Sequence, residues 1–175
     1  MKPDTTLLPA GEPFLYPDFS HEIHYETELV LHICKSGRCI PEALASEYYD
    51  AITVGIDFTA RDLQSQCKAN GHPWEVAKAF DYSAPMGEFK KISALKHPDD
   101  IAFGLKLNGE WVQQGHSRDM IFSFDKIIAQ VSRFVTLNNG DCIFTGTPKG
   151  VGEVHVGDVL ELFLEDKLIF KFDVK

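Results

Sequence analysis

The run HEIHYETELVLHI (21–33) alternates apolar and polar residues with a period of two, and an extended strand is the conformation that sorts such a pattern onto two faces. Ile23, Tyr25, Thr27, Leu29 and Leu31 then face one way, and Glu22, His24, Glu26, Glu28 and Val30 the other. Two acids at i and i+2 on one sheet face repel each other across a short gap, and nothing basic lies between them. A solvated outer face tolerates such a pair. A hard divalent cation would instead remove the repulsion, and oxygen-only ligation by carboxylates is the pattern expected for Mg2+ or Mn2+. Asp57 adds a third carboxylate at the end of the apolar run AITVGIDF (51–58), just before a loop and helix, where functional side chains are commonly presented. Asp57 and Asp62 also fit a plain helix N-terminal turn, favoured by the helix dipole.

Two further stretches bear on the same chemistry. Lys78 lies among Trp74, Val76 and Phe80, where it either extends its charge from an apolar surface or faces the carboxylates and attracts an anion. The loop TGTPKGVG (145–152) carries backbone N–H groups and hydroxyls able to cradle a carboxylate or phosphate. It lacks the order of a nucleotide phosphate loop, and by spacing alone it reads as a structural turn. His24 shares the face of Glu26 and Glu28 and is a candidate to support them. The other histidines form no metal pattern, and there is no G-x-S-x-G nucleophile motif.

The rest of the chain reads as strands with a few inserted helices. Residues 1–20 are expected to be extended, 25–34 a strand, 41–49 a short helix and 51–58 a buried strand. Thr59 is placed to cap a helix through ARDLQSQCKAN that Gly71 ends, and 73–80 to form a further turn or two. Asn108-Gly109 marks a hairpin between two alternating runs, and Ser123 starts the amphipathic SFDKIIAQVSRFV. Gly140-Asp141 and Gly157-Asp158 each open a strand, and a closing hairpin turns at 165–167.

Composition sets the limits. The 175 residues suit one domain, 1–175, and 44% hydrophobic content with 13 Phe is ample for a core. A net charge of −9 excludes a nucleic-acid backbone as partner and disfavours anionic membranes. It also means that an anionic substrate needs local cations or a metal. Cys34, Cys39, Cys67 and Cys142 form no C-x-x-C pair, and the first residues resemble no signal or transit peptide, so reduced thiols in the cytoplasm are expected.

Taken together, HYETEL (24–29), GIDFTARDLQ (55–64), AKAFDYSAPMG (77–87) and TGTPKGVG (145–152) resemble the fumarylacetoacetate hydrolase family in order and spacing, over nearly the whole chain. ARDLQ followed by PWEVAKAFD is most similar to its small single-domain branch of acylpyruvate hydrolases and oxaloacetate decarboxylases. The resemblance implies an α+β, β-rich fold, a mixed β-sandwich roll with short inserted helices, usually a homodimer. It implies Mg2+ or Mn2+ on Glu26, Glu28 and Asp57, with Lys78 catalytic and binding the carboxylate or enolate of a 2-oxo acid. Thr147 would contact the substrate carboxylate, and Arg61 and Gln64 would line the pocket. The activity implied is hydrolysis or decarboxylation, in which a C–C bond of an acylpyruvate or oxaloacetate-type substrate breaks through a metal-stabilised enolate. Isomerisation or hydration of dienoate 2-oxo acids shares the metal site. The family's His-x-x-Glu pair, carried on an N-terminal lid, has no counterpart in this sequence, which leaves a lidless, non-catalytic metal- and oxo-acid-binding homodimer as a third reading.

Overall fold

The computed structural model describes residues 1–98 and 100–175. In chain order the first strands are β1 (Ile23–Tyr25), β2 (Thr27–Ile33), β3 (Tyr49–Ile56), β4 (Thr59–Ala60) and β5 (Lys90–Lys91). The hairpin strands β6 (Ala102–Leu107) and β7 (Glu110–His116) follow, then β8 (Cys142–Phe144), β9 (Gly152–Glu153), β10 (Val159–Leu164) and β11 (Lys167–Asp173). The helices are α1 (Arg61–Asn70), α2 (Glu75–Lys78) and α3 (Phe124–Ser132). Three antiparallel sheets result, with strand orders β4-β1-β9, β5-β3-β2-β8 and β11-β10-β6-β7. The expected β-rich fold with short helices is what the chain adopts.

The acidic strand is broken where the alternation alone gave no break. Glu26 falls between β1 and β2, which belong to different sheets: β1 pairs with β4 and β9, and β2 with β3 and β8. A strand whose two halves pair with different partners must turn at the junction, and the residue at the junction leaves both ladders. The inward face nevertheless survives. Ile23, Tyr25, Leu29, Leu31 and Ile33 are all buried, and Val30 on the opposite face is buried too, as expected for a central strand covered on both sides.

Turn chemistry matches the sequence at the hairpins. Asn108 and Gly109 both have positive φ, the requirement of a type I′ turn, between β6 and β7. Glu165 turns the closing hairpin between β10 and β11 with φ of 52°. Gly140-Asp141 and Gly157-Asp158 lead into β8 and β10. Ser123 caps α3, its hydroxyl accepting from the Lys126 N–H.

The helix boundaries differ in two places. Residues 42–47 form a 3-10 turn, because Tyr49 is drawn into β3. Thr59 does not cap α1: its backbone pairs with His24 in the β1–β4 ladder, and Ala60 occupies the cap position without a side-chain bond. Gly71 ends α1 in the left-handed conformation as expected. The first twenty residues hold a 3-10 turn at Asp4–Thr6 and two isolated parallel bridges, Leu7 to Ala84 and Phe14 to Val174. One core cluster draws on every sheet: Tyr25 from the first, Leu29, Ile52 and Val54 from the second, Leu105, Leu160 and Leu162 from the third.

Candidate active site

The break at Glu26 is what assembles the site. Released from both ladders, Glu26 lies beside Asp57, whose backbone N–H donates to the Glu26 carbonyl at 2.8 Å just past the end of β3. Glu28 follows on β2 and is almost fully buried. Carboxylate oxygens of Glu26, Glu28 and Asp57 all lie within 4.8 Å of one another.

Cations reach this cluster from elements distant in sequence. Lys78, at the end of α2, places Nζ 2.8 Å from Glu26 Oε2 and 2.7 Å from Asp57 Oδ2. It therefore faces the carboxylates rather than an apolar surface. Arg61, opening α1, donates to Glu26 Oε1 at 2.6 Å and to Gln64 Oε1 at 2.6 Å. The 145–152 loop closes over Glu28: the Gly146 N–H donates to Glu28 Oε2 at 2.6 Å, and Thr145 is tied to the Leu29 carbonyl. The loop does cradle a carboxylate, and that carboxylate is the protein's own.

Three residues depart from or add to the sequence reading. His24 does not support the acids; its Nε2 lies 2.9 Å from Glu22. Lys2, which no pattern marked, enters the site with Nζ 2.9 Å from Asp57 Oδ1 and 2.8 Å from Ser83 Oγ, and also donates to the Lys78 carbonyl. Its place is fixed by backbone bonds between residues 5–7 and 82–84, including Ala84 N–H to the Thr6 carbonyl at 2.8 Å. Gln113, on β7, bonds Thr147 Oγ1 at 2.9 Å.

Burial and charge set the ionisation of the group. Burial pushes the Glu28 carboxyl up to about 8; repulsion from Asp57 and Glu26 adds to this, while the Gly146 N–H and Lys78 oppose it. Burial also opposes ionisation of Glu26, but Lys78 and then Arg61 outweigh it and hold that carboxyl below its usual range. Burial lowers the Lys2 ammonium from its ordinary value, with Asp57 acting against the shift.

These residues fit a divalent cation. The donors are all carboxylate oxygens, the choice of hard ions. Asp57 Oδ1 is buried without a hydrogen-bond donor: Lys2 lies close enough to form an ion pair but not along a hydrogen-bonding direction. The ion pair with Lys2 leaves lone-pair capacity on that oxygen that a cation could use.

The site presents, on a β-rich scaffold, an acidic triad that could hold a metal ion, flanked by two lysines. The chain belongs to the fumarylacetoacetate hydrolase family: residues 1–174 match the family described as fumarylacetoacetate (FAA) hydrolase C-terminal. It is 41% identical over 175 residues to the mitochondrial oxaloacetate tautomerase of Mus musculus, covering all of this chain and 79% of that protein. Among solved structures, fumarylpyruvate hydrolase from Pseudomonas aeruginosa in complex with Mn2+ and pyruvate superposes with a TM-score of 0.93 at 37% identity, covering 99% of this chain and 76% of the other. 2-Hydroxyhepta-2,4-diene-1,7-dioate isomerase from Mycobacterium marinum gives 0.88 at 30%, covering 99% and 66%. The chain is thus shorter than the relatives it matches.

Proposed function

We propose that the chain is a divalent-metal-dependent enzyme of 2-oxo acids that cleaves a C–C bond of an acylpyruvate or oxaloacetate-type substrate. One observation carries the reading: three clustered carboxylates share a cleft with the ammonium groups of Lys2 and Lys78, both within ion-pair distance of Asp57. A Mg2+ or Mn2+ ion held by Glu26, Glu28 and Asp57 would supply Lewis-acid stabilisation of charge developing on the substrate's keto oxygen. The Pseudomonas neighbour, with Mn2+ and pyruvate, supports both halves of that assignment.

The chain's own groups supply the rest. Lys78 Nζ is held by two carboxylates and so stands ready, already oriented, for a third anion. Lys78 and, after it, Arg61 keep Glu26 ionised, while Gln64 accepts from the Arg61 guanidinium. Thr147 has a hydroxyl proton to give to the substrate carboxylate. A homodimer in a reducing compartment completes the proposal; the four cysteines are free thiols, and either cytosol or mitochondrial matrix, the compartment of the mouse relative, meets that condition.

A second reading, keto–enol tautomerisation, is favoured by the name of the mouse relative and by one feature of the site. Among the described residues no histidine bonds to Glu26, Glu28 or Asp57. Hydrolysis needs a base placed to activate a water molecule, whereas tautomerisation needs an acid or base only at the substrate's own carbon and oxygen, a role open to Lys78 and the carboxylates beside it. Assays with Mg2+ or chelator on acetylpyruvate and on oxaloacetate separate the two. Pyruvate release above the metal-only background is the expected result, and faster relaxation of the enol absorbance without pyruvate would establish the second reading instead. Asp57→Asn should abolish Mg2+ binding by calorimetry; unchanged affinity would rule out the site.

A further inference from the structure

The 145–152 loop and the Glu26–Glu28 segment are far apart in the chain, and the buried side chain of Gln113 bonds to both. Gln113 lies on β7, the edge strand of the third sheet, and is 2% exposed. Its Oε1 accepts from the Thr27 N–H at 2.9 Å. Its Nε2 donates to Thr147 Oγ1 at 2.9 Å and to the Pro148 carbonyl at 3.0 Å. The orientation of the amide follows from its partners: a backbone N–H can only donate and a carbonyl can only accept, so Oε1 must face Thr27 and Nε2 must face Pro148.

We propose that Gln113 is a positioning residue that couples the two halves of the site, fixing the peptide between Glu26 and Glu28 with its carbonyl and aiming the Thr147 hydroxyl with its amino group. The inference rests on the metal and 2-oxo-acid reading given above. Thr27 is the residue between the two glutamates, so holding its N–H holds the stretch of backbone from which both project. At the other end, Gln113 Nε2 makes Thr147 Oγ1 an acceptor. The hydroxyl proton is thereby directed away from Gln113 and left for another acceptor, in this proposal the substrate anion. A water-filled gap in place of this amide would leave the hydroxyl free to turn either way. Satisfying three backbone and side-chain partners with one amide also explains why a polar side chain is retained at so buried a position.

The chemistry distinguishes two substitutions. Gln113→Glu keeps an acceptor for the Thr27 N–H but replaces the donor facing Thr147 with an acceptor. The Thr147 proton is then drawn toward the introduced carboxylate and lost to the substrate. Gln113→Leu removes both functions. Oxalate, a small chelating dianion, serves as the probe, titrated into Mg2+-loaded protein. Wild type should bind it. Gln113→Glu should bind it about 10- to 100-fold more weakly, the worth of one hydrogen bond to a charged group, with Mg2+ affinity changed by no more than about threefold, a small free-energy change. Gln113→Leu should lose affinity for both. Should it fail to fold, Gln113→Glu and Thr147→Val carry the test, since the double substitution should be no worse for oxalate than either single one. A wild-type oxalate affinity in Gln113→Glu, or losses that multiply in the double variant, would overturn the role of Gln113. A wild type that ignores oxalate in the presence of Mg2+ would overturn the functional reading and this inference with it.

Discussion

Glu28 is asked to do two things that conflict at the level of one carboxyl group. It must be buried to sit on β2 beneath the glycine loop, and under the proposed function it must be ionised to ligate a cation. Burial raises its ionisation midpoint from 4.5 to about 8, so near neutral pH the metal-free protein holds a proton there that the unfolded chain would release. A carboxyl whose folded value lies above its unfolded value contributes stability that is complete below the unfolded value and is lost as pH rises through the folded one. Metal-free protein should therefore lose stability between pH 4.5 and about 8 through this group, and Mg2+ should remove that loss. Because a ligand must be deprotonated, loading should also release about one proton at about pH 7 and almost none at about pH 9. Calorimetry in buffers of different ionisation heats measures this directly, and release that is the same at both pH values would contradict it. The sequence showed Glu28 and Glu26 as neighbours on one face. It did not show that only Glu28 would be deeply buried, because that depends on a loop 118 positions away covering it.

At the scale of elements, the 145–152 loop depends closely on backbone geometry. Gly150 has φ of 101°, and a Cβ there would come within 2.4 Å of the Val112 carbonyl, a backbone atom that cannot rotate away. Gly140 has a similar φ of 96° but nothing within 4 Å of where its Cβ would stand. Gly140→Ala should therefore incur only the left-handed backbone penalty, about 1–2 kcal/mol. Gly150→Ala should be more destabilising and should also weaken Mg2+ binding, because displacing the loop moves the Gly146 N–H off Glu28. Urea denaturation of both variants, with Mg2+ titrations, gives the ranking, and equal losses would show that the β7 contact does not constrain the loop. The loop was recognisable in sequence as a tight turn with anion-cradling potential. Its target was not, since which carboxylate it meets is settled by tertiary pairing. The same limit explains Lys2 and Gln113. Lys2 belongs to no periodic pattern and the alternating run around Gln113 marks only a strand; each reaches the site because a remote partner, residues 82–84 for one and Thr27 for the other, places it there. Lys78 was legible for the opposite reason: a cation in an apolar, helix-forming stretch stands out locally.

At the scale of the whole molecule, the site is built where separate sheets meet, so its geometry depends on a core that no single sheet completes. Phe14 shows how. It is fully buried, stacked on Phe58 at 4.1 Å, and its backbone is bonded to Asp173 and Lys175 beside the end of β11. Phe58 follows Asp57 directly and also meets Phe172 of β11 edge-on at 6.2 Å. Packing between the two ends of the chain thus lies immediately behind Asp57, a proposed metal ligand. Truncating a buried aromatic costs about 3–5 kcal/mol, while an aliphatic side chain of similar bulk recovers part of it. We predict that Phe14→Ala loses about that much and Phe14→Leu clearly less, with Mg2+ affinity falling in the same order. We further expect residues 1–175 to unfold as one unit. Trp74 precedes α2 and Trp111 lies on β7 of the third sheet, so their fluorescence reports different regions and should change together with far-UV circular dichroism. Separate transitions would mean that the sheets form more than one cooperative unit. Full Mg2+ affinity in folded Phe14→Ala would mean that Asp57 is positioned by its own strand alone, independently of the shared core.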